Sequence, residues 1–351
     1  MLRHLVFVVC ALLQTAAGTS LAADTSPLPT PLYTVSKSFH LPGNGGWDYL
    51  ALEASGARLF VSRGDQVDVV ETVSGKLVAT IANTAGVHGI AFAPALKRGF
   101  TSNGRSNTVS VFELDTLRVI QEAPVSGKNP DAILYEPRHN YIITANGESS
   151  NLSVLDAETL QVAATIPLPG PPEFMATDAA GMVYVNIQGE PGKLVAVDAK
   201  SLTVKATWSL PECTNPTGLA LDAIHHRLFS VCENQVMAVT DSLSGKRVAR
   251  IVIGRGPDAA AYDADLGLVF SSNGVDGTLT EIHQETPDDY TVLATVTTQV
   301  SARTMVLDPA AHRIYMVAAK LGATPPATDE QPHPRPSVVP DSLSILIVQP
   351  K

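Results

Sequence analysis

Seven short segments of this chain open alike, with a small or proline-bearing pair, one further residue that is usually polar or charged, and then an apolar run. They are GWDYLAL (46–52), GVHGIAF (86–92), NPDAILY (129–135), PPEFMAT (171–177), NPTGLAL (215–221), GPDAAAY (256–262) and SARTMVL (301–307). The third residues are Asp48, His88, Asp131, Glu173, Thr217, Asp258 and Arg303, spaced 40, 43, 42, 44, 41 and 45 apart. A period of this length, repeated seven times, matches the four-stranded blade of a β-propeller.

The segments between these openings fill in the blade. A second strand follows each opening, as in RLFVSRG (58–64), YIITANG (141–147) and LVFSSNG (268–274). Third strands such as VDVVE (67–71) and LVAVD (194–198) come next, then fourth strands such as KLVATI (76–81) and KRVARIVI (246–253). These runs alternate and are rich in Val, Ile and Thr, and no stretch keeps a helical period. The seventh copy ends with SLSILIVQ (342–349), one strand short, while an unassigned strand, LYTVSKSFHL (32–41), precedes the first copy. The expectation is an all-β, seven-bladed propeller over 32–351, its ring closed by the N-terminal strand completing the last blade. A Pro-rich segment, 322–341, interrupts that blade and reads as a surface loop, or alternatively as a lid.

The first 22 residues read as an export signal. Arg3 precedes the apolar run Leu5–Leu13, and Ser20-Leu21-Ala22 offers a small-x-small cleavage site. Nine apolar residues are too few to span a bilayer, and no later segment could do so. Residues 23–31 would be a flexible mature N-terminus. Loss of Arg3 takes the formal net charge from −10 to −11, which disfavours nucleic acid and anionic lipid as partners. Cys10 lies within the signal, leaving Cys213 and Cys232. In the oxidising periplasm or outside the cell such a pair suggests a disulfide worth about 3 kcal/mol by loop closure. A reactive thiol pair is the alternative.

The motifs GWDYLAL, GVHGIAFAP, RGFTSNG, GKNPDAILYEP, NPTGLALD, LVFSSNGVDGTLT and ARTMVLDP resemble the YVTN-repeat propellers, and more specifically the YncE-like periplasmic group. The resemblance covers about 32–349 and implies the propeller fold; it implies no settled activity, since fold alone does not fix function. RLFVSRG and MVYVNIQG are loose versions of the Tyr-Val-Thr-Asn string, making this a divergent member. Quinone-cofactor propellers carry Trp docking motifs in every blade; Trp47 and Trp208 alone do not supply them.

In a propeller the first strand of each blade lines the central channel. Loops before that strand and after the second share one face. Asp48, His88, Asp131, Glu173, Asp258 and Arg303, with Thr217, should therefore ring one channel mouth. Arg63, Asp65, Asn103, Arg105, Asn146, Glu148, Asn186, Glu233, Asn234, Asn273 and Asp276 would form a second tier. Crowded carboxylates demand a counter-charge. Asp131, Glu173 and Asp258, with Asp48, suit a hard divalent metal ion, and His88 would extend the choice to a transition metal. A hydrated channel with Arg303 neutralising its neighbours is the plain alternative. His139, His226 and His312 recur at the turn between first and second strands, and Asp115, Asp156, Asp198 and Asp241 in the hairpin after the third. Both sets read as turn chemistry. His40 and His283 would fall in outer strands, and His333 in the Pro-rich loop.

Nucleophile-elbow, metal-helix and phosphate-loop motifs are absent. Three functions follow in order. The first is a periplasmic monomer binding a cation or small polar ligand at the acidic mouth. The second is a scaffold for a periplasmic protein. The third is a metal-assisted lactonase or lyase using His88 as base and Arg303 as electrophile.

Overall fold

The computed structural model describes residues 32–326, 328, 334 and 336–351. The expected signal peptide, the segment 23–31, His333 and part of the Pro-rich loop lie outside the described residues. Seven four-stranded antiparallel sheets form the blades of a ring. The innermost strands are Leu50–Leu52, Val87–Ala93, Pro130–Glu136, Pro172–Thr177, Pro216–Asp222, Pro257–Asp263 and Thr304–Asp308. Apart from a short 3₁₀ turn at Pro94–Leu96, every described element is a strand.

Blade 7 is built from both ends of the chain. Its strands run Thr304–Asp308, Arg313–Ala318, Ser344–Pro350 and then the N-terminal strand Tyr33–His40 on the outside. Tyr33 pairs with Pro350 and His40 with Ser344, so the chain closes its own ring as its strand count requires.

Burial explains the residue choice in each strand. The middle strands lie between neighbouring blades and bury both faces; Leu59 to Arg63 is buried throughout. The outermost strands face solvent, as in Val119–Pro124, where Ala123 alone is buried. The core is therefore a set of layers between blades rather than one centre. Between blades 1 and 2, Phe60 meets Phe92 at 4.9 Å and Phe112 at 5.9 Å between centroids. Gly99 leaves room there, since a Cβ at that position would come 2.1 Å from the Phe112 ring.

Cys213 and Cys232 are joined as a disulfide, their Cα atoms 5.4 Å apart. It ties the link into blade 5 to the end of that blade's second strand, Arg227–Cys232. The Pro-rich segment begins and ends as a short ladder, with Leu321 paired to Val338 and Gly322 donating to the Ser337 carbonyl at 2.8 Å. Its far end is pinned to the link between blades 7 and 1, where Asp341 accepts a hydrogen bond from Gly43 N at 3.0 Å.

Two assignments shift in register. Asp156, Asp198 and Asp241 end the third strand and accept backbone N–H bonds from the turn that follows. In blade 2 the equivalent residue is Glu113, whose N–H bonds Arg118 O as Asp156 bonds Gln161 O. Asp115 lies two residues further on and instead meets Lys97 at 3.4 Å. His40 does lie in an outer strand, but His283 belongs to the third strand of blade 6, Thr278–Thr286.

Candidate cation site at the channel mouth

Each ring residue stands at the start of an innermost strand, where the blade turns into the channel. For Asp131, Thr217 and Arg303 the backbone carbonyl is held from the neighbouring blade. Ser102 of blade 2 donates to the Asp131 carbonyl of blade 3, and Ser272 of blade 6 to the Arg303 carbonyl of blade 7. Asn186 of blade 4 donates to the Thr217 carbonyl of blade 5 at 2.8 Å, and Thr217 Oγ to the Pro257 carbonyl of blade 6 at 3.1 Å. Blades also approach closely at glycines: a Cβ on Gly218 would come 2.7 Å from the Asp258 carbonyl oxygen. These inter-blade bonds hold Asp131, Thr217 and Arg303 in place at the mouth.

Asp48, His88 and Asp131 converge, with one ligand atom from each lying within 4.8 Å of the others. His88 Nδ1 is 2.6 Å from Asp48 Oδ2 and 3.6 Å from Asp131 Oδ1. The opposite ring nitrogen turns toward blade 2's own loop: a Cβ on Gly104 would be 2.6 Å from His88 Nε2 and 2.5 Å from Asn129 Oδ1. The absence of a side chain at Gly104 thus leaves room for the imidazole edge, and Nδ1 is the nitrogen on the carboxylate side. The three side chains keep 30%, 30% and 21% of their exposure, so solvent reaches them.

The remaining ring residues pair locally. Arg303 Nε lies 3.0 Å from Asp258 Oδ2, and Nη2 lies 3.4 Å from Asp48 Oδ1. Its guanidinium stacks over Trp47 at 5.5 Å from the ring centroid. Glu173 accepts a bond from Gln188 Nε2 at 2.9 Å. Of the expected carboxylate set Asp131, Glu173 and Asp258, only Asp131 belongs to the closest donor group. The other two flank it through these partners.

The electrostatics follow from the count: four carboxylates face one guanidinium and one imidazole. Burial raises the Asp131 carboxyl first; His88 and Arg303 pull it down, Asp48 and Asp258 push it up, and the result is about 7. For His88, burial favours the neutral ring, but the hydrogen bond with Asp48 and the nearby carboxylates outweigh it and raise its pKa.

One level deeper, Tyr49 and Phe174 stack at 5.6 Å with 14° between their planes. They come from blades 1 and 4, so their contact crosses the channel. Burial first, then the charges of Asp131, Glu173, Asp48 and Asp258, hold the Tyr49 phenol well above its ordinary pKa, and it stays neutral. The ring therefore stands over an aromatic floor that the repeat pattern did not disclose.

The second tier is mostly scaffolding. Asn103, Asn146 and Asn273 are buried and donate to Ser110, Ser153 and Thr280 of the adjacent strand. In blade 1 that neutral pair is replaced by Arg63 and Asp68, 2.6 Å apart and buried, with Arg63 also donating to the carbonyls of Pro42 and Asn44 at 2.8 Å. Asp65 pairs with Arg105, and Asp276 with Arg255 at 2.7 Å. Glu233 and Asn234 hold the link carrying Cys213, bonding Asn215 and Thr214. On the opposite face, buried carboxylates end the first strands: Glu136 bonds His139 and Asp222 bonds His225 within their own turns, while Asp263 of blade 6 bonds His312 of blade 7. The recurrence of an acidic residue at that offset was a readable signal.

No protein-family model matches the chain, and no curated protein matches it by sequence. Solved structures do match. Hydrazine synthase of Kuenenia stuttgartiensis aligns at a TM-score of 0.70 and 16% identity, over 84% of this chain and 95% of that one. The structure of U3-55K aligns at 0.72 and 9% identity, over 89% and 99%. At such identities the likeness is one of fold, the seven-bladed propeller.

Proposed function

We propose that this propeller is a periplasmic or secreted binding protein whose channel mouth takes a divalent cation through Asp48, His88 and Asp131. The observation that carries the reading is the convergence of these three donors within 4.8 Å, inside a ring holding more negative than positive charge. Two carboxylate oxygens and an imidazole nitrogen suit zinc, manganese or a similar ion, and Glu173 and Asp258 extend the acidic wall for a polar ligand carried by it. The export signal and the Cys213–Cys232 disulfide support a location outside the cytoplasm. The repeat motifs support membership of the YncE-like group as a divergent case.

The test is thermal melting of the mature protein with manganese, zinc or calcium, before and after chelation. The site predicts a melting point that rises with at least one ion and falls on chelation, with both effects lost in Asp131→Asn. Melting curves indifferent to every ion would leave the ring a solvated channel and move attention to protein partners.

A further inference from the structure

The channel mouth contains a cation of its own. Arg303 reaches from blade 7 to Asp258 of blade 6 at 3.0 Å and to Asp48 of blade 1 at 3.4 Å. It also donates to the Trp47 carbonyl at 3.2 Å and lies over the Trp47 ring. Its backbone is fixed, since Ser272 bonds its carbonyl and a Cβ on Gly274 would come 2.6 Å from Arg303 Cβ. The guanidinium thus spans three consecutive blades and engages two of the four ring carboxylates. One of them, Asp48, is among the three converging cation donors.

We propose that Arg303 is the resident counter-ion of the channel mouth and sets which cations it admits, an incoming divalent ion binding by taking Asp48 from the guanidinium. This rests on the cation reading above and adds the residue that controls it. While Arg303 holds Asp48 and Asp258, the site offers few oxygen donors, and ions that favour imidazole are preferred over calcium. A positive charge some 6 Å from a divalent ion weakens its binding on the order of tenfold even at the dielectric of water. Removing that charge leaves Asp48 to the ion, with no guanidinium competing for it. Arg303→Gln should therefore bind divalent ions more tightly, the reverse of what loss of an ordinary site residue does.

The experiment is calorimetric titration of the folded, disulfide-bonded mature protein with zinc, manganese and calcium, using wild type, Arg303→Gln and Arg303→Lys. Emission from Trp47 is followed alongside in a Trp208→Phe background. The inference predicts binding at least about tenfold tighter in Arg303→Gln, with calcium gaining more than zinc, and wild-type affinity within about threefold in Arg303→Lys. Wild-type binding should change Trp47 emission as the guanidinium leaves the indole, and that change should vanish in Arg303→Gln. Arg303→Met, which keeps the aliphatic packing on Trp47, replaces the glutamine variant if that fails to fold. Wild-type binding that is unchanged or weakened in both neutral variants overturns the role of Arg303 and leaves the cation site standing. A wild type that takes up no divalent ion overturns the site itself, and this inference with it.

Discussion

Charge is distributed unevenly at the scale of single residues, and the imbalance has consequences on both faces. At the channel mouth, half-buried Asp131 lies near two further carboxylates, with His88 and Arg303 offsetting only part of the effect. On the opposite face, His312 of blade 7 bonds Asp263 of blade 6 at 2.8 Å. That bond raises the His312 pKa, desolvation opposes it, and the charges of Asp263, Asp265 and Asp308 add to the rise. A histidine raised by folding binds its proton more tightly in the native state, so its stabilisation is complete below the unfolded imidazole value and lost as pH rises through the native one. The stability gap between wild type and His312→Gln, from denaturant titrations at pH 6 and pH 9, should be larger at pH 6. A gap independent of pH would mean the pair contributes no charge. The ring residues were legible because one sequence offset maps to one channel level. The Tyr49–Phe174 stack was not, because a contact between blades 1 and 4 obeys no period in the sequence. The Arg63–Asp68 pair was missed for a related reason: it departs from the Asn–Ser pattern of its sister blades, and a departure shows only once the pattern has a structural meaning.

At the scale of elements, the strand that closes the ring carries the clearest consequence. Tyr33–His40 covers the edge of Ser344–Pro350, buries Tyr33 against Phe270 at 4.9 Å, and lays Phe39 against Gly75 of blade 1. A chain lacking residues 33–40 exposes one full strand edge and loses contacts with both neighbouring blades. It should elute as dimers or larger species in size-exclusion chromatography, and a peptide spanning residues 32–41 added in trans should return it to the monomer position. Monomeric behaviour without the peptide would show that the ring closes by other contacts. The strand order was readable from the count of strands alone. The hairpin registers were less so: Asp115 was grouped with Asp156 by resemblance of sequence, whereas hydrogen bonding makes Glu113 the equivalent position. Blade 1 likewise shortens its first strand to Leu50–Leu52, although the motif GWDYLAL promised a longer one. Asp48 N still bonds the Ser62 carbonyl at 3.2 Å and Ser62 N the Tyr49 carbonyl at 3.1 Å, so the side chains keep their level while the ladder loosens.

For the molecule as a whole, seven blades collect one residue each at a single mouth, over an aromatic contact that crosses the channel. An acidic protein of formal net charge −10 would repel a second anion there and attract a cation, and the donors closest together are the ones a divalent ion can use. Crystals of the mature protein grown with manganese, measured for anomalous scattering, test this most directly. The account predicts an anomalous peak within coordination distance of Asp48, His88 and Asp131, with the Arg303 guanidinium displaced from Asp48. Anomalous peaks confined to other parts of the surface, with Arg303 still on Asp48, would contradict it.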